Sequence, residues 1–399
     1  MKTIPALQNS DYRRLLYGSA FHQQGMSGEQ VLIGLLVYQT TGATSWVGII
    51  LALYFLPFFV FGLLSGAIAD WIDRRTLLRR IEMVIAITLF GFAISLYFSD
   101  ISILLIATFT FIAGSLRALH QPVRSSYAYD LVGKNNLVTA LALLNLGSRA
   151  GQLIGALVAG FMMEEFGAPA ALVALGIGHV IACVPFCLLK TGGIAAIHTR
   201  APLGQNFKEF FFELISNRLL LILLGVTAAV EIFGFSFATA LPEIAASRLE
   251  IGATGLGWLQ GIRAFAGIVA GLIFAIYNVH NKTGVTYLII ILGFGIFLTL
   301  LSQTSLLVLT ISAVFLVSFC AASSDILSQS MMQLSVVNKL RGRAMGIWVL
   351  ALGFGPVGHL ELGAVSGYLG LQIGLLINGM ALILLSAILG FFVPRLRRL

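Results

Sequence analysis

The sequence predicts an all-α membrane protein, with twelve transmembrane helices arranged as two pseudo-symmetric six-helix bundles. Three observations carry that prediction. First, 58% of the 399 residues are hydrophobic and only 10% are charged, and mean hydropathy is +0.98. A soluble domain carries roughly 25% charged residues. So few charges cannot solvate the surface of a 42.8 kDa globule, and lipid must be most of the solvent. Second, the apolar residues fall into runs long enough to cross a bilayer, which takes about 20 residues. At roughly 30 residues per helix and loop, the chain holds about twelve such runs. Third, basic residues recur in every second loop.

The spans of the first half are expected near 13–40, 45–69, 77–98, 101–124, 137–163 and 168–189. Those of the second half are expected near 216–244, 254–278, 284–302, 305–332, 343–367 and 370–393. Between the halves lies the longest polar stretch, which contains Gly192, Gly193, Pro202 and Gly204. The chain therefore divides into an N-terminal bundle (1–190), a cytoplasmic linker (191–215) and a C-terminal bundle (216–399).

Lysine and arginine in the loops set orientation, because short cytoplasmic loops carry them in excess. Arg74, Arg75, Arg79 and Arg80 flank the second loop, and Lys134 is in the fourth. Lys190, Arg200 and Lys208 are in the linker, Lys282 in the eighth loop, and Lys339, Arg341 and Arg343 in the tenth. Arg395, Arg397 and Arg398 end the chain. Odd-numbered loops hold Asp100, Glu164, Glu165 and Glu250, with Arg248 as the basic exception. Both termini are thus expected in the cytoplasm, and the bilayer is expected to be a bacterial cytoplasmic (inner) membrane. The net charge of +8 is spread through these short loops, which argues against nucleic acid as a partner.

The halves also resemble each other. Arg14-Leu15-Leu16 opens the first and Arg218-Leu219-Leu220 the second. A constant offset pairs Leu131 with Leu334, Asn135 with Asn338, and Gly155, Gly160 and Gly167 with Gly358, Gly363 and Gly370. Paired bundles of this kind support alternating access at the repeat interface. Glycines four apart, such as Gly62 and Gly66, Gly151 and Gly155, Gly267 and Gly271, and Gly363 and Gly367, permit close helix contact. Cys183, Cys187 and Cys320 lie inside apolar runs and read as buried packing rather than a disulfide framework. No cleavable signal peptide is expected at the N-terminus.

The loop after the second span reads Gly66-Ala-Ile-Ala-Asp70-Trp71-Ile72-Asp73-Arg74-Arg75. It resembles the signature loop of the major facilitator superfamily: a glycine, an acid four residues on, then a basic pair. Gly66 lets two helices approach, Asp70 sits at a helix end where an acid engages a helix N-terminus or an arginine, and Arg74 and Arg75 hold the loop at the cytoplasmic face. The resemblance makes Gly66, Asp70, Asp73, Arg74 and Arg75 a conformational gate. The family usually has glycine where Asp73 stands, and the acid there is similar to the subgroup of drug and siderophore exporters. Leu119-His120-Gln121-Pro122-Val123-Arg124, followed by Asp130-Leu131-Val132, resembles the fourth-span exit of that subgroup. Leu340 to Gly346 resembles its tenth-loop segment, and Gly353-Phe354-Gly355-Pro356-Val357-Gly358 the glycine-proline antiporter motif, placed here in the eleventh span.

Polar residues inside the spans are the candidate site. A charge at mid-bilayer costs about 2.5–3.5 kcal/mol on insertion scales, so each needs a partner or a cavity. The first span carries His22, Gln23, Gln24, Glu29 and Gln30. His22 and Gln30 fall within about 80° on a helix and Glu29 lies nearer still, forming a polar stripe. Glu29 is the first candidate for a proton or substrate-charge site. Glu231 holds a comparable place in the seventh span, beside Phe233, Phe235 and Phe237, which either wall the substrate or face lipid. Arg117, Arg149 and Arg263 are intramembrane cations that pair with Glu29, Glu231 or Glu361, or meet an anionic substrate. Asp325 is expected to pair near the eleventh-span start, with Arg343 as a candidate. His359 and Glu361, two apart, point to different faces, and His179 reads as a satisfied interior histidine.

The resemblance implies a secondary active transporter. The leading expectation is a proton-coupled exporter of a small amphipathic or siderophore-like compound, acting as a monomer by alternating access. An uptake symporter or a lipid or lysolipid transporter on the same fold is the alternative, because fold does not fix function. A membrane-embedded enzyme or receptor is the third class. No phosphate-cradling loop, nucleophile-base pair or metal-spaced cluster appears in the sequence, so no enzymatic activity, cofactor or metal is expected.

Overall fold

The computed structural model describes residues 5–71, 73–98, 101–192, 214–276, 283–335 and 341–397. Side chains 59–72, 275–276, 333–334 and 341–346, and a few near 122–138, lie outside the described set. Most of the linker and the side chains of Gly66, Asp70 and Arg343 therefore fall outside it.

Every regular element among the described residues is a helix. In order these are α1 (Ser10–Thr41), α2 (Thr44–Trp71), α3 (Arg74–Phe98) and α4 (Ile103–Cys187). They are followed by α5 (Arg218–Phe233), α6 (Gly252–Ile276), α7 (Thr283–Gln303) and α8 (Leu307–Leu334), then α9 (Arg341–Leu352), α10 (Gly355–Leu369) and α11 (Leu371–Phe392). α5 continues as tighter 3-10 turns over Phe235–Ala240 and a wider π turn over Ile244–Arg248. Nine helices among the described residues are long and apolar enough to cross a membrane. α1, at 32 residues, is long enough but falls outside the nine. Its intramembrane polar stripe lowers its hydropathy.

The 85 residues of α4 are not one rod. Gly133 (φ 68°) and Gly167 (φ 81°) leave helical geometry and divide it into segments 103–132, 134–166 and 168–187. Positive φ costs glycine little, so a near-continuous chain reverses at these two points. The polar loop expected over 125–136 is thus a helical extension that turns only at Gly133. Likewise the expected eleventh span breaks at Gly353-Phe354 into α9 and α10. Pro356 sits in the first turn of α10, where its missing N–H costs nothing, but it cannot continue a helix from before.

The Cα positions form two compact units. Unit 1 comprises Met1–Gly42, Leu53–Ile197 and Pro242–Phe265; unit 2 comprises Ala43–Ala52, His198–Leu241 and Ala266–Leu399.

Within unit 1, glycines bring α1 close to two segments of α4. A Cβ on Gly151 or Gly155 would collide with the backbone carbonyls of Ala20 or Gln24. A Cβ on Gly18, Gly25 or Gly28 would strike Phe186, His179 or Leu175. In unit 2 the start of α2 meets α10 the same way, with a Cβ on Gly363 3.1 Å from Gly48 Cα. The expected Gly151/Gly155 and Gly363/Gly367 contacts are present. Gly271 has nothing within 4 Å of a Cβ, and Gly62 and Gly66 lie outside the described side chains.

The two units share a capping device at the α1 and α5 starts. Asn9 caps α1 through Asp11 and Tyr12 N–H, and its amide donates to Leu131 O at 2.8 Å. Asn217 caps α5 through Leu219 and Leu220 N–H, and donates to Ser335 O at 3.2 Å. Each ties a helix start to the end of a helix about 120 residues later.

Candidate functional site: a buried histidine–carboxylate cluster

In unit 1 five helical segments aim polar side chains at one point. α1 supplies His22 and Glu29, seven residues apart and so on one face. α2 supplies Tyr54, α3 Glu82, segment 103–132 Arg117, His120 and Arg124, and segment 168–187 His179. Glu82 and His179 are 0% exposed, and Glu29, His22, Arg117 and His120 are each 1% exposed.

Glu82 is the hub. Its Oε1 lies 2.6 Å from His22 Nδ1 and 3.5 Å from His120 Nε2, and its Oε2 lies 2.8 Å from His179 Nδ1. As a carboxylate it accepts from both Nδ1–H groups. The His22 and His120 rings stack at 3.5 Å with a 7° tilt, and the His179 ring meets His22 edge-on at 5.6 Å. His179 then bridges to the second carboxylate, its Nε2 lying 3.4 Å from Glu29 Oε1. Arg117 donates to Glu29 through one guanidinium nitrogen and to Tyr54 Oη through the other, at 2.7 Å. Arg124 donates to Ser148 Oγ at 2.7 Å.

With neutral imidazoles the formal charges of Glu29, Glu82, Arg117 and Arg124 cancel. A balanced cluster lowers the cost of burying each charge. Two places are ready for a further proton. Glu29 Oε2 and His179 Nε2 are both buried and have no hydrogen-bond partner among the described residues. A proton on His179 Nε2 would turn its 3.4 Å contact with Glu29 Oε1 into a hydrogen bond. His22, Glu82 and His179 also offer donor atoms within 4.8 Å of one another, the described set able to hold a metal. The 2.6 and 2.8 Å separations are those of direct N–H···O bonds. Two ligands each about 2.0–2.2 Å from one zinc ion stand farther apart than that.

The sequence singled out Glu29, His22 and Arg117, and the structure brings these three together. Glu82 went unread, although an acid two residues past Arg80, at the start of a run with no other charge as far as Phe98, was a usable signal. His120 was read as part of the fourth-span exit and His179 as a satisfied core residue; both belong to the cluster. Gln30 reaches the Tyr54 hydroxyl, whereas Gln23 Oε1 accepts from Gln152 Nε2 at 3.1 Å. Arg149 donates to Gln152 Oε1 at 3.3 Å, and Arg263 donates to Gln260 Oε1.

Unit 2 holds the remaining candidates. Glu231 lies beside the helix break at Gly355, with Asp325 as its charged neighbour. Asn378 Nδ2 donates at 3.1 Å to both Glu361 Oε2 and Ser236 Oγ, and His359 Nδ1 shares a 2.8 Å hydrogen bond with Thr239 Oγ1. His359 and Glu361 thus serve separate partners. Phe237 is buried, and Phe235 packs edge-on against Phe294 at 6.1 Å, so these two aromatics are packing.

The loop motif holds together at one end of unit 1. Asp73 caps α3 through Thr76 N–H at 3.1 Å. Arg74 pairs with Asp130 at 2.6 Å, and Arg75 donates to Leu189 O at 3.3 Å. The two sequence stretches that carried the resemblance therefore meet in space.

The chain is 22% identical to the Staphyloferrin A transporter of Staphylococcus aureus over 92% of each protein. It is 22% identical to the multidrug efflux pump Tap of Mycolicibacterium fortuitum over 91% of each. It is also 22% identical to the enterobactin exporter EntS of Shigella flexneri, over 100% of this chain and 94% of that protein. Among solved structures, the nucleoside transporter NupG superposes with a TM-score of 0.79 at 14% identity, covering 96% of this chain and 99% of that one. A bacterial homologue of the lysosomal transporter Spinster gives 0.76 at 13% identity, covering 100% and 98%. These likenesses under 25% identity establish the fold. The family model of the Major Facilitator Superfamily matches residues 18–238, more than half of the chain. With an all-helical fold and helices able to cross a bilayer, this chain is a multi-pass membrane transporter, not an enzyme, and belongs to the Major Facilitator Superfamily.

Proposed function

We propose that the protein is a proton-coupled exporter of a small amphipathic or siderophore-type compound, working by alternating access as a monomer in a bacterial cytoplasmic membrane. Its twelve spans form halves 1–190 and 216–399 joined by the cytoplasmic linker 191–215, with both termini in the cytoplasm. The single observation that carries proton coupling is the closed Glu82–histidine–Glu29–Arg117 cluster. It holds two carboxylates and three imidazoles where water is excluded, with an open protonation seat between His179 and Glu29. A proton on Glu29 cancels its attraction for Arg117 and releases the guanidinium toward Tyr54. That exchange links proton uptake to a rearrangement of α1 against segment 103–132. The relatives' printed roles, siderophore transport, enterobactin export and multidrug efflux, support a small-molecule cargo and an outward direction.

Purified protein in liposomes with an imposed pH gradient tests the proposal. Ethidium and a catecholate compound serve as trial cargoes. Wild type should accumulate at least one of them against its gradient. Glu29→Gln should lose the dependence on the pH gradient while cargo-for-cargo exchange survives. If Glu231→Gln loses gradient-driven transport and Glu29→Gln keeps it, coupling belongs to unit 2. If neither substitution matters, coupling through these carboxylates is wrong.

A further inference from the structure

Unit 2 holds a buried carboxylate that the histidine cluster does not reach. Glu231 lies near the middle of the Arg218–Arg248 span and is 7% exposed. Among the described residues its charged neighbour is another acid, Asp325, and no arginine, lysine or histidine stands beside it. Two more oxygens come to the same point. Thr227, one turn before Glu231 on α5, shares its face. Tyr287 comes from α7, and Glu231 and Asp325 are its charged neighbours. Its hydroxyl approaches Thr227, yet neither Tyr287 Oη nor Thr227 Oγ1 makes a hydrogen bond of normal geometry with any described residue. Both are shut away from water, at 0% and 3% exposed. The backbone contributes as well. Gly355 opens α10 beside Glu231, where a Cβ would lie 3.7 Å from Oε2. Just before it, α9 ends at Leu352. The Leu352 carbonyl has no helical donor, because residue 356 is proline. A helix C-terminus carries partial negative charge, which favours a cation.

We propose that Glu231, Thr227, Tyr287 and the break between α9 and α10 form a seat for an alkali-metal cation, Na+ or K+. An ionised carboxylate in the interior needs a counter-charge or a proton. A proton makes one hydrogen bond and leaves the remaining oxygens as they were. A cation with several oxygen ligands satisfies the carboxylate, both hydroxyls and the helix end together. Carboxylate, hydroxyl and carbonyl oxygens suit hard cations, whereas softer metals select nitrogen and sulfur. One carboxylate among neutral oxygens balances one positive charge, which selects a monovalent ion. Asp325 is outside the ligand set, because it has interactions of its own. Broken membrane helices hold coupling ions in this way, through unwound carbonyls and half-helix C-terminal ends. The seat lies in unit 2, apart from the proton cluster of unit 1, and goes beyond the exporter reading.

Binding is measured on purified protein in phosphatidylcholine nanodiscs, with choline chloride holding ionic strength constant. The probes are radioactive sodium and, as a stand-in for potassium, radioactive rubidium. At least one tracer should bind. Unlabelled NaCl or KCl should displace it at least tenfold better than methylammonium or calcium chloride, and the better of the two identifies the ion. Glu231→Gln, which keeps the shape and removes the charge, should abolish tracer binding. Tyr287→Phe, which removes one oxygen, should weaken it at least tenfold. Melting in choline chloride shows that each variant is folded, and the alkali salt should raise the melting temperature of wild type but not of Glu231→Gln. Wild type that binds neither tracer would overturn the proposal and make Glu231 a proton site. Stronger displacement by methylammonium would overturn it in favour of a cargo amine, and stronger displacement by calcium in favour of a divalent ion. Undiminished tracer binding in folded Glu231→Gln would also overturn it. If Glu231→Gln does not fold, Tyr287→Phe decides, and wild-type tracer affinity there is the overturning result. Export driven by a pH gradient without tracer binding leaves the exporter standing and removes this inference alone. Tracer binding without any export does the reverse.

Discussion

At the scale of single residues, the argument turns on Glu82. A buried carboxylate is stable only if its lone pairs are satisfied, and here two imidazole N–H groups do it at 2.6 and 2.8 Å. Glu82→Gln replaces an acceptor-only group with one that also donates. Its amide N–H₂ would face an Nδ1–H, so one imidazole must change tautomer or turn away. Insertion should persist. Gradient-driven transport should fall at least tenfold in liposomes, with substrate exchange less affected, whereas a merely structural Glu82 would lower both equally. A smaller loss should follow His120→Gln, because that ring stands 3.5 Å from the carboxylate and stacks on His22 rather than donating to Glu82. The sequence made Glu29 and His22 legible because both lie on one helix, where spacing reports the face. Glu82, His120 and His179 come from three further segments. Their meeting depends on which helices pack together, and periodicity within one helix carries no trace of that.

At the scale of elements, glycine contacts decide where α1 sits. Gly151 and Gly155 let the 134–166 segment touch the α1 backbone at Ala20 and Gln24, on either side of His22. Gly155→Ala drives a methyl group into Gln24 O, and neither backbone can yield as a flexible side chain would. Overpacking of this kind costs about 1–3 kcal/mol. The variant should unfold at a measurably lower temperature in detergent and transport poorly. Gly225→Ala, where a Cβ meets nothing within 4 Å, should match wild type in both assays. Equal stability of the two variants would remove the packing argument. The four-residue glycine spacing was readable in the sequence, though its partner helix was not. The break at Gly353-Phe354 was readable as a motif but not as a break, because hydropathy runs smoothly through it. The reversals at Gly133 and Gly167 fall inside the stretches read as loops, 125–136 and 164–167; only their tightness was hidden, because the helix continues up to each glycine.

At the scale of the whole molecule, the charge pattern reports a two-ended object, and unit 1 has two chemically different ends. At one end Asp11 accepts from Lys190 and Thr191 N–H, Arg74 pairs with Asp130, and Arg75 holds Leu189 O. At the other, Glu164 caps the start of α6 through Ala253 N–H at 2.6 Å, and Tyr38 bonds Ser247 at 2.8 Å. Within unit 1 the first end carries Arg74 and Arg75 of the second loop with their acidic partners, and the second carries Glu164. Translocation leaves short basic loops in the cytoplasm, so the first end should face inward. Single cysteines at positions 43, 165 and 250 should therefore react with an impermeant maleimide on intact cells. Cysteines at 73, 200 and 340 should react only after permeabilisation. The background needs Cys183, Cys187 and Cys320 replaced by serine, since Cys187 is exposed. Position 200 bears most on the architecture. It lies in the linker between the proposed halves, and an odd number of spans before it would put it outside. Labelling at 200 in intact cells would break the six-plus-six reading, even if 43, 165 and 250 behaved as expected. Labelling at 73 would instead reverse the end of unit 1 that carries Arg74 and Asp130, and the exporter direction would have to be argued again from the opposite face.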